Sequence, residues 1–224
     1  MAKSGAYSTS IQVNEHMETE MIRVVDEKRK EIGIASRDDV HKKGHWHETF
    51  HCWVISKKEN SYTIHLQVRS EIKKDFPGLL DITAAGHLLA HETVQDGVRE
   101  VQEELGLDVS FNDLILLGTV PDRLHMGDFL DNEWCHVFLY ESLKPIEDYS
   151  LQKEEVSGIV SVDLSVFLRF CQGEELNMLG EGFLIGVDNE QIPFRRMISK
   201  ADFVPHEETY FQRTASLIQK YISR

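Results

Sequence analysis

The sequence predicts an α/β (α+β) sandwich. Strand-like segments of period 2 lie before and after one strongly helical segment, further helical segments close the chain, and the order is not that of repeated βαβ units. With 224 residues the chain can form one domain with a substantial core. Residues 1–20 read as an N-terminal arm, either loose or an edge strand, and 21–224 as a single domain whose C-terminal part, from about 163, is a helical extension.

MIRVVDEKRKEIGIASR (21–37) reads as strand, polar turn and strand. FHCWVIS (50–56) and SYTIHLQVRS (61–70) flank the polar turn KKEN. In the second of these, Tyr62, Ile64, Leu66 and Val68 alternate with Thr63, His65, Gln67 and Arg69, so Gln67 and Arg69 share one face. LLDITAA (79–85) is another short strand. Val94, Val98, Val101 and Leu105 then recur at helical spacing, and Gly106 is a natural stop. Strands return at ILLGTV (115–120) and EWCHVFLYES (133–142), and helices at DLSVFLRFC (163–171) and 208–223.

Composition excludes several classes. Lys plus Arg number 24 against 38 Asp plus Glu, a formal charge of −14, which opposes binding to a nucleic-acid backbone. Acidic clusters can instead collect a divalent cation, and the cation attracts phosphate. Cys52, Cys135 and Cys171 form no CxxC pair, so neither a disulfide framework nor a cysteine zinc site is expected. No apolar run approaches the roughly 20 residues of a membrane span, and the N-terminus lacks an apolar signal core. A cytoplasmic protein is the expectation.

GHLLAHETVQDGVREVQEELGL (86–107) carries the chemistry. On a helix, Glu100, Glu103 and Glu104 stand at i, i+3 and i+4 and share one face, expected to be solvent-accessible, with the apolar stripe turned away. Three like charges there repel, and Mg²⁺ relieves such repulsion because it takes carboxylate and phosphate oxygens. Arg99, four residues before Glu103, is placed to pair with it. A solvated acidic surface is the plain alternative.

The whole stretch resembles the Nudix box, G-x5-E-x7-R-E-U-x-E-E-x-G-U, with U a bulky aliphatic. Gly86, Glu92, Arg99, Glu100, Val101, Glu103, Glu104, Gly106 and Leu107 match by type. One spacing departs: six residues, not seven, separate Glu92 from Arg99, which leaves the role of Glu92 open. The resemblance implies an α/β/α sandwich with a mixed sheet, a loop-helix-loop holding Mg²⁺ (or Mn²⁺), and hydrolysis of a small-molecule diphosphate. Its catalytic residues are then Arg99, Glu100, Glu103 and Glu104, the three glutamates as metal ligands. Relatives of this kind often form homodimers.

Residues 24–140 are also similar to type I isopentenyl diphosphate isomerase, a branch of the same superfamily. The stretches that carry the likeness are VVDEKRKEIGIASRDDVHKKGHWHETFHCWVI (24–55), RSEIKKDFPGLLDITAAGH (69–87) and DNEWCHVF (131–138). It implies that Arg69 and Lys73 bind the diphosphate. It also implies a second metal site at His41, His47, His87, Asp131 and Glu133, a donor set suited to Zn, Mn or Fe. Hydrogen-bonded core or surface histidines are the alternative. Ala85 stands where the isomerase has its catalytic Cys, so no acid is evident there for protonating an alkene. Three functions follow in order: diphosphate hydrolysis, isomerisation of an allylic diphosphate, and a non-catalytic diphosphate-binding module. Trp46, Phe76 and Trp134 could stack a base, cover a prenyl chain, or belong to the core.

Overall fold

The computed structural model describes residues 20–224. The arm expected over 1–20 lies, except for Glu20, outside the described residues. β1 (Met21–Val25) and β2 (Glu31–Ser36) form the antiparallel pair expected over 21–37. A short helix not read from the sequence follows, α1 (Arg37–Lys43). The Ser36 side chain caps it by accepting from Asp39 N at 3.3 Å, Asp38 and Asp39 lie in its first turn, and Gly44 ends it at φ 64°. With Val40 as its one aliphatic residue, two helical turns present no periodic stripe.

β3 (Trp46–Lys58) is the central strand and buries both faces. It pairs with β4 (Ser61–Arg69) only from Val54 to Lys58. The strand expected over 79–85 is in fact two: β5 (Leu80–Asp81) on β4, and β6 (Ala84–His87) on β3. Thr83 spans the fork between them. Its hydroxyl accepts from Val54 N at 3.0 Å and donates to the His65 carbonyl. The parting of β3 from β4 opens the sheet at the place where the chemistry-bearing residues collect.

Next come α2 (Arg99–Leu105), a long hairpin of β7 (Ile115–Met126) and β8 (Phe129–Glu141), β9 (Val156–Asp163) and α3 (Leu164–Cys171). β8 runs parallel to β3 while its partner β7 is antiparallel to it, so the sheet is mixed as expected. With β10 (Asn177–Ile185) and β11 (Gln191–Ser199), the strand order is β11-β10-β9-β4-β3-β1-β2, with β8 attached to β3. The C-terminal region has α3 and α4 (Glu208–Ile222), but between them stands the hairpin of β10 and β11. The two helices stand where the sequence put them, and the hairpin between them was not read from it. The hairpin's outer positions, among them Leu179, Ile192 and Met197, are exposed apolar residues, which blurs the polar–apolar alternation.

Two cores lie on opposite faces of the sheet. Phe50, Cys52 and Val54 of β3 meet Val101 and Leu105 of α2. Trp53 and Ile55, from alternate positions, meet Phe167 of α3 and Tyr210, Ala215 and Ile218 of α4. Val101 and Leu105 are fully buried, worth roughly 1.5–3 kcal/mol each. That burial anchors α2 and thereby fixes where its glutamates can reach.

Candidate active site

A cavity of about 220 Å³ lies between α2, β6, the hairpin of β7 and β8, and the segment before α4. It is lined by Arg69, Lys73, His41, His87, Arg99, Glu100, Glu103, Glu104, Asp131 and Glu133, among others. His47 is fully buried behind it. The fold therefore brings the residues expected to bind metal or diphosphate into one region.

Glu100 and Glu104 are not on a solvent-accessible face, as the helical wheel alone suggested. They are buried, and Glu103 is exposed. Their neighbours Val101 and Leu105 sit in the core, and this rotation of α2 drives Glu100 and Glu104 against β6. Glu104 Oε2 accepts from Ala85 N at 3.2 Å and from Gln67 Nε2 at 3.4 Å. Burial pushes the Glu104 carboxyl well above the usual range; Lys73 opposes the shift and the Glu100 charge adds to it. Burial likewise raises Glu100 to about 7, against the pull of Arg99. Two buried carboxylates short of positive charge are a fitting place for a divalent cation.

Arg99 ties the loop to the helix. It reaches Glu92 Oε1 from Nε at 2.7 Å, Glu100 Oε1 from Nη1 at 2.7 Å and Glu103 Oε2 from Nη1 at 3.1 Å. It also donates to the His87 carbonyl at 3.3 Å. Glu92 Oε2 accepts from Leu89 N at 2.8 Å, so Glu92 acts as the clamp of the loop despite the shortened spacing.

His41, His47 and His87 place one ring nitrogen each within 4.8 Å of one another, and His47, Asp131 and Glu133 make a second such group. His41 comes from α1, the helix hidden from the sequence, and the parallel register sets His47 beside Glu133. His41 Nε2, His47 Nε2 and Asp131 Oδ1 are buried with no hydrogen-bond partner among the described residues. Burial and the neighbouring His87 hold His41 down at about 2 and His47 at about 4, so both rings are neutral and can ligate. Burial raises Asp131 well above its usual range, with Glu133 adding to the effect. Orphaned lone pairs from His and carboxylate fit a transition-metal ion better than Mg²⁺.

Arg69, at the end of β4, donates to the Asp75 carbonyl at 3.2 and 2.9 Å and to Asp81 Oδ2 at 2.9 Å. Two of its five N–H donors remain for a ligand. Lys73 pairs with Glu155. Phe76 lines the cavity. Trp46 and Trp134 do not; they stack on each other at 5.1 Å, with Arg123 over Trp46 at 5.0 Å.

Sequence reading missed Glu20, Arg37, His51, Asp81, Asp122, Glu155 and His206, all of which line the cavity. His51 and Asp81 lie in segments already read as strands, so their inward direction was accessible from period 2. His206 had no local signal. It stands 84 residues from Asp122 and 125 from Asp81, its two partners.

The NUDIX domain family profile matches residues 45–170. A Nudix hydrolase of Clostridium acetobutylicum is 37% identical over 196 residues, covering 88% of this chain and 95% of the relative. Nudix hydrolase 3 of Arabidopsis thaliana is 32% identical over 71% of this chain, which spans 21% of that longer protein. Isopentenyl-diphosphate Delta-isomerase 1 of Photorhabdus laumondii is 28% identical over 122 residues, 54% of this chain and 68% of the relative. The chain belongs to the NUDIX domain family and is an enzyme of the Nudix hydrolase kind.

Proposed function

We propose that this protein hydrolyses the bridge of a small-molecule diphosphate in a reaction dependent on Mg²⁺ or Mn²⁺. The observation that carries the reading is the convergence of buried Glu100 and Glu104 with exposed Glu103 on a cavity that also holds Arg69 and Lys73. Glu100, Glu103 and Glu104 would hold the metal, which when bound polarises phosphoryl oxygen and acidifies water. Arg69 and Lys73 bind the diphosphate oxygens through charge-assisted bonds. Arg99 holds Glu103 in its rotamer and, through Glu92, fixes the loop before α2. Water adds to one phosphorus, the bridging P–O bond breaks, and each product keeps one phosphate.

His41, His47, His87, Asp131 and Glu133 form, in this reading, a second metal site on a scaffold shared with the isomerases. The scaffold likeness does not extend to the reaction. Ala85 N donates to Glu104 and its methyl offers no acidic proton, while Cys52 and Cys135 are buried thiols pushed up by burial. We also read 21–224 as one domain, because β10 pairs with β9 in the common sheet and α4 covers the same core as α3.

The test is a panel of nucleoside diphosphate sugars, dinucleoside polyphosphates, NAD-type dinucleotides, nucleoside triphosphates and prenyl diphosphates, incubated with Mg²⁺ or Mn²⁺. Products are identified by mass spectrometry. Cleavage at a phosphate bridge, lost in Glu104→Gln, is expected. Steady conversion of isopentenyl diphosphate to its dimethylallyl isomer without cleavage would replace this reading with the isomerase one.

A further inference from the structure

Between the anion-binding cations and the C-terminal helix lies a buried line of alternating charge. Arg69 Nη1 is 2.9 Å from Asp81 Oδ2. His206 Nε2 is 2.8 Å from Asp81 Oδ1, and His206 Nδ1 is 2.6 Å from Asp122 Oδ2. The backbone supports both ends: Ile82 N donates to Asp81 Oδ1 at 2.8 Å, and Glu207 N donates to Asp122 Oδ1 at 2.8 Å. Both ring nitrogens of His206 face carboxylate oxygens. Neutral imidazole has one N–H, so with Asp81 and Asp122 both ionised only the doubly protonated ring satisfies both contacts.

We propose that His206 is a positioning residue for the diphosphate grip: as a buried cation it holds Asp81 against Arg69 and cancels carboxylate charge behind the phosphate site. The inference rests on the reading of Arg69 as a diphosphate ligand. With His206 charged, the quartet of Arg69, Asp81, His206 and Asp122 is neutral. With His206 neutral it carries one net negative charge beside the place where an anion must bind, and the low-dielectric interior amplifies that repulsion. Fixing Arg69 beforehand also spares the ordering of a long side chain at binding.

The groups facing His206 are consistent with this role. Asp81 comes from β5, Asp122 from β7, the His51 ring of β3 lies 6.4 Å away, and Tyr210 and Phe211 of α4 lie at 5.3 and 5.6 Å. Burial works against protonation, but the two carboxylates outweigh it and raise the imidazolium well above the usual histidine range. Tyr210, one turn further along, places its hydroxyl 2.7 Å from His51 Nδ1, and His51 Nε2 is 3.4 Å from Glu133. The segment before and at the start of α4 thus touches the supports of the anion grip and of the histidine cluster alike.

The experiment measures binding of methylenediphosphonate, a diphosphate analogue whose P–C–P bridge cannot be hydrolysed, to the full chain in Mg²⁺ by calorimetry. Wild type, Arg69→Ala, His206→Gln and the double variant are compared. The inference predicts at least a tenfold weaker Kd for each single variant. It also predicts that the loss in the double variant falls well short of the product of the two single losses, because part of the His206 effect runs through the Arg69 guanidinium. A His206→Gln protein that binds like wild type while Arg69→Ala does not would overturn it, as would losses that multiply in the double variant. An Arg69→Ala protein that binds like wild type would remove the diphosphate reading of Arg69 and this inference together. Should His206→Gln not fold, ¹⁵N-imidazole NMR of the wild type decides. Both His206 nitrogens protonated at pH 8 is the expected result, and a neutral ring overturns the inference.

Discussion

Glu100 occupies the space a side chain on Gly86 would need. A Cβ built on Gly86 falls 2.0 Å from Glu100 Oε1. A side chain on the glycine that opens the motif would therefore displace the carboxylate 14 residues later, on the first turn of α2.

That contact makes Gly86→Ala a probe of the carboxylate's position. The methyl group must push Glu100 away from β6. The expected result is a fall in metal-dependent turnover of about 10²-fold, the order of loss for a displacement near 1 Å at a reacting centre. The methyl meets only the carboxyl end of a flexible side chain, so stability should change little. Turnover equal to wild type would show that the Glu100 position does not matter to catalysis.

Glu104→Gln should separate function from stability. In the metal-free protein Glu104 is buried with its carboxyl raised by desolvation, so a neutral isostere relieves an unfavourable charge. The metal-free variant is expected to melt at or above wild type at pH 8, while its turnover falls by orders of magnitude. Thermal denaturation in chelator measures the first and a product assay the second. A strongly destabilised variant would mean that the carboxylate's role is structural.

Much of this site was legible in the sequence because its residues lie on regular elements. The shared face of Glu100, Glu103 and Glu104 follows from the 3.6 period and that of Gln67 and Arg69 from the period of β4, while the roles expected of the glutamates, Arg69 and Lys73 come from the resemblances. The period gave the spacing of the glutamates but not the rotation of α2, which is set by Val101 and Leu105 entering the core. His41 was placed by resemblance alone, since α1 is too short to show a stripe. Asp122 and His206 meet across 84 residues, a distance over which no local pattern acts. The hairpin of β10 and β11 was missed for the opposite reason: apolar residues on its exposed face resemble core.

His65 provides a pH test away from the site. Its ring lies 2.8 Å from Ser56 Oγ and 2.7 Å from Ser161 Oγ, and burial, with a contribution from Lys58, lowers it from 6.5 to about 4. Between those values the unfolded chain binds the proton and the folded one does not. The neutral ring's contribution is thus whole above pH 6.5 and is lost as pH falls toward 4. Relative to His65→Gln, wild type should lose about 2 kcal/mol of unfolding free energy between pH 7.5 and 4.5. A stability difference independent of pH would contradict the assignment.

The histidine cluster predicts a metal response of its own. Mn²⁺ or Zn²⁺ binding at His41, His47, His87, Asp131 and Glu133 should stabilise the folded chain, by about 2.7 kcal/mol at one hundred times Kd. Thermal melts with and without the ion check this, with His41→Gln as the comparison. The variant should lose most of the Zn²⁺ shift while keeping the response to Mg²⁺ or Mn²⁺ at the glutamates. Equal shifts in variant and wild type would remove the second site.

The central claim is that water attacks a diphosphate in this cavity. It is tested most directly by running the reaction in H₂¹⁸O with Mg²⁺, on whichever diphosphate of the panel turns over, and reading the products by mass spectrometry. Hydrolysis predicts one ¹⁸O in a phosphate group of one product per turnover, with the bridge broken and the label absent in Glu104→Gln. Turnover to an isomer of unchanged mass, with an intact diphosphate and no ¹⁸O in any phosphate, would contradict it.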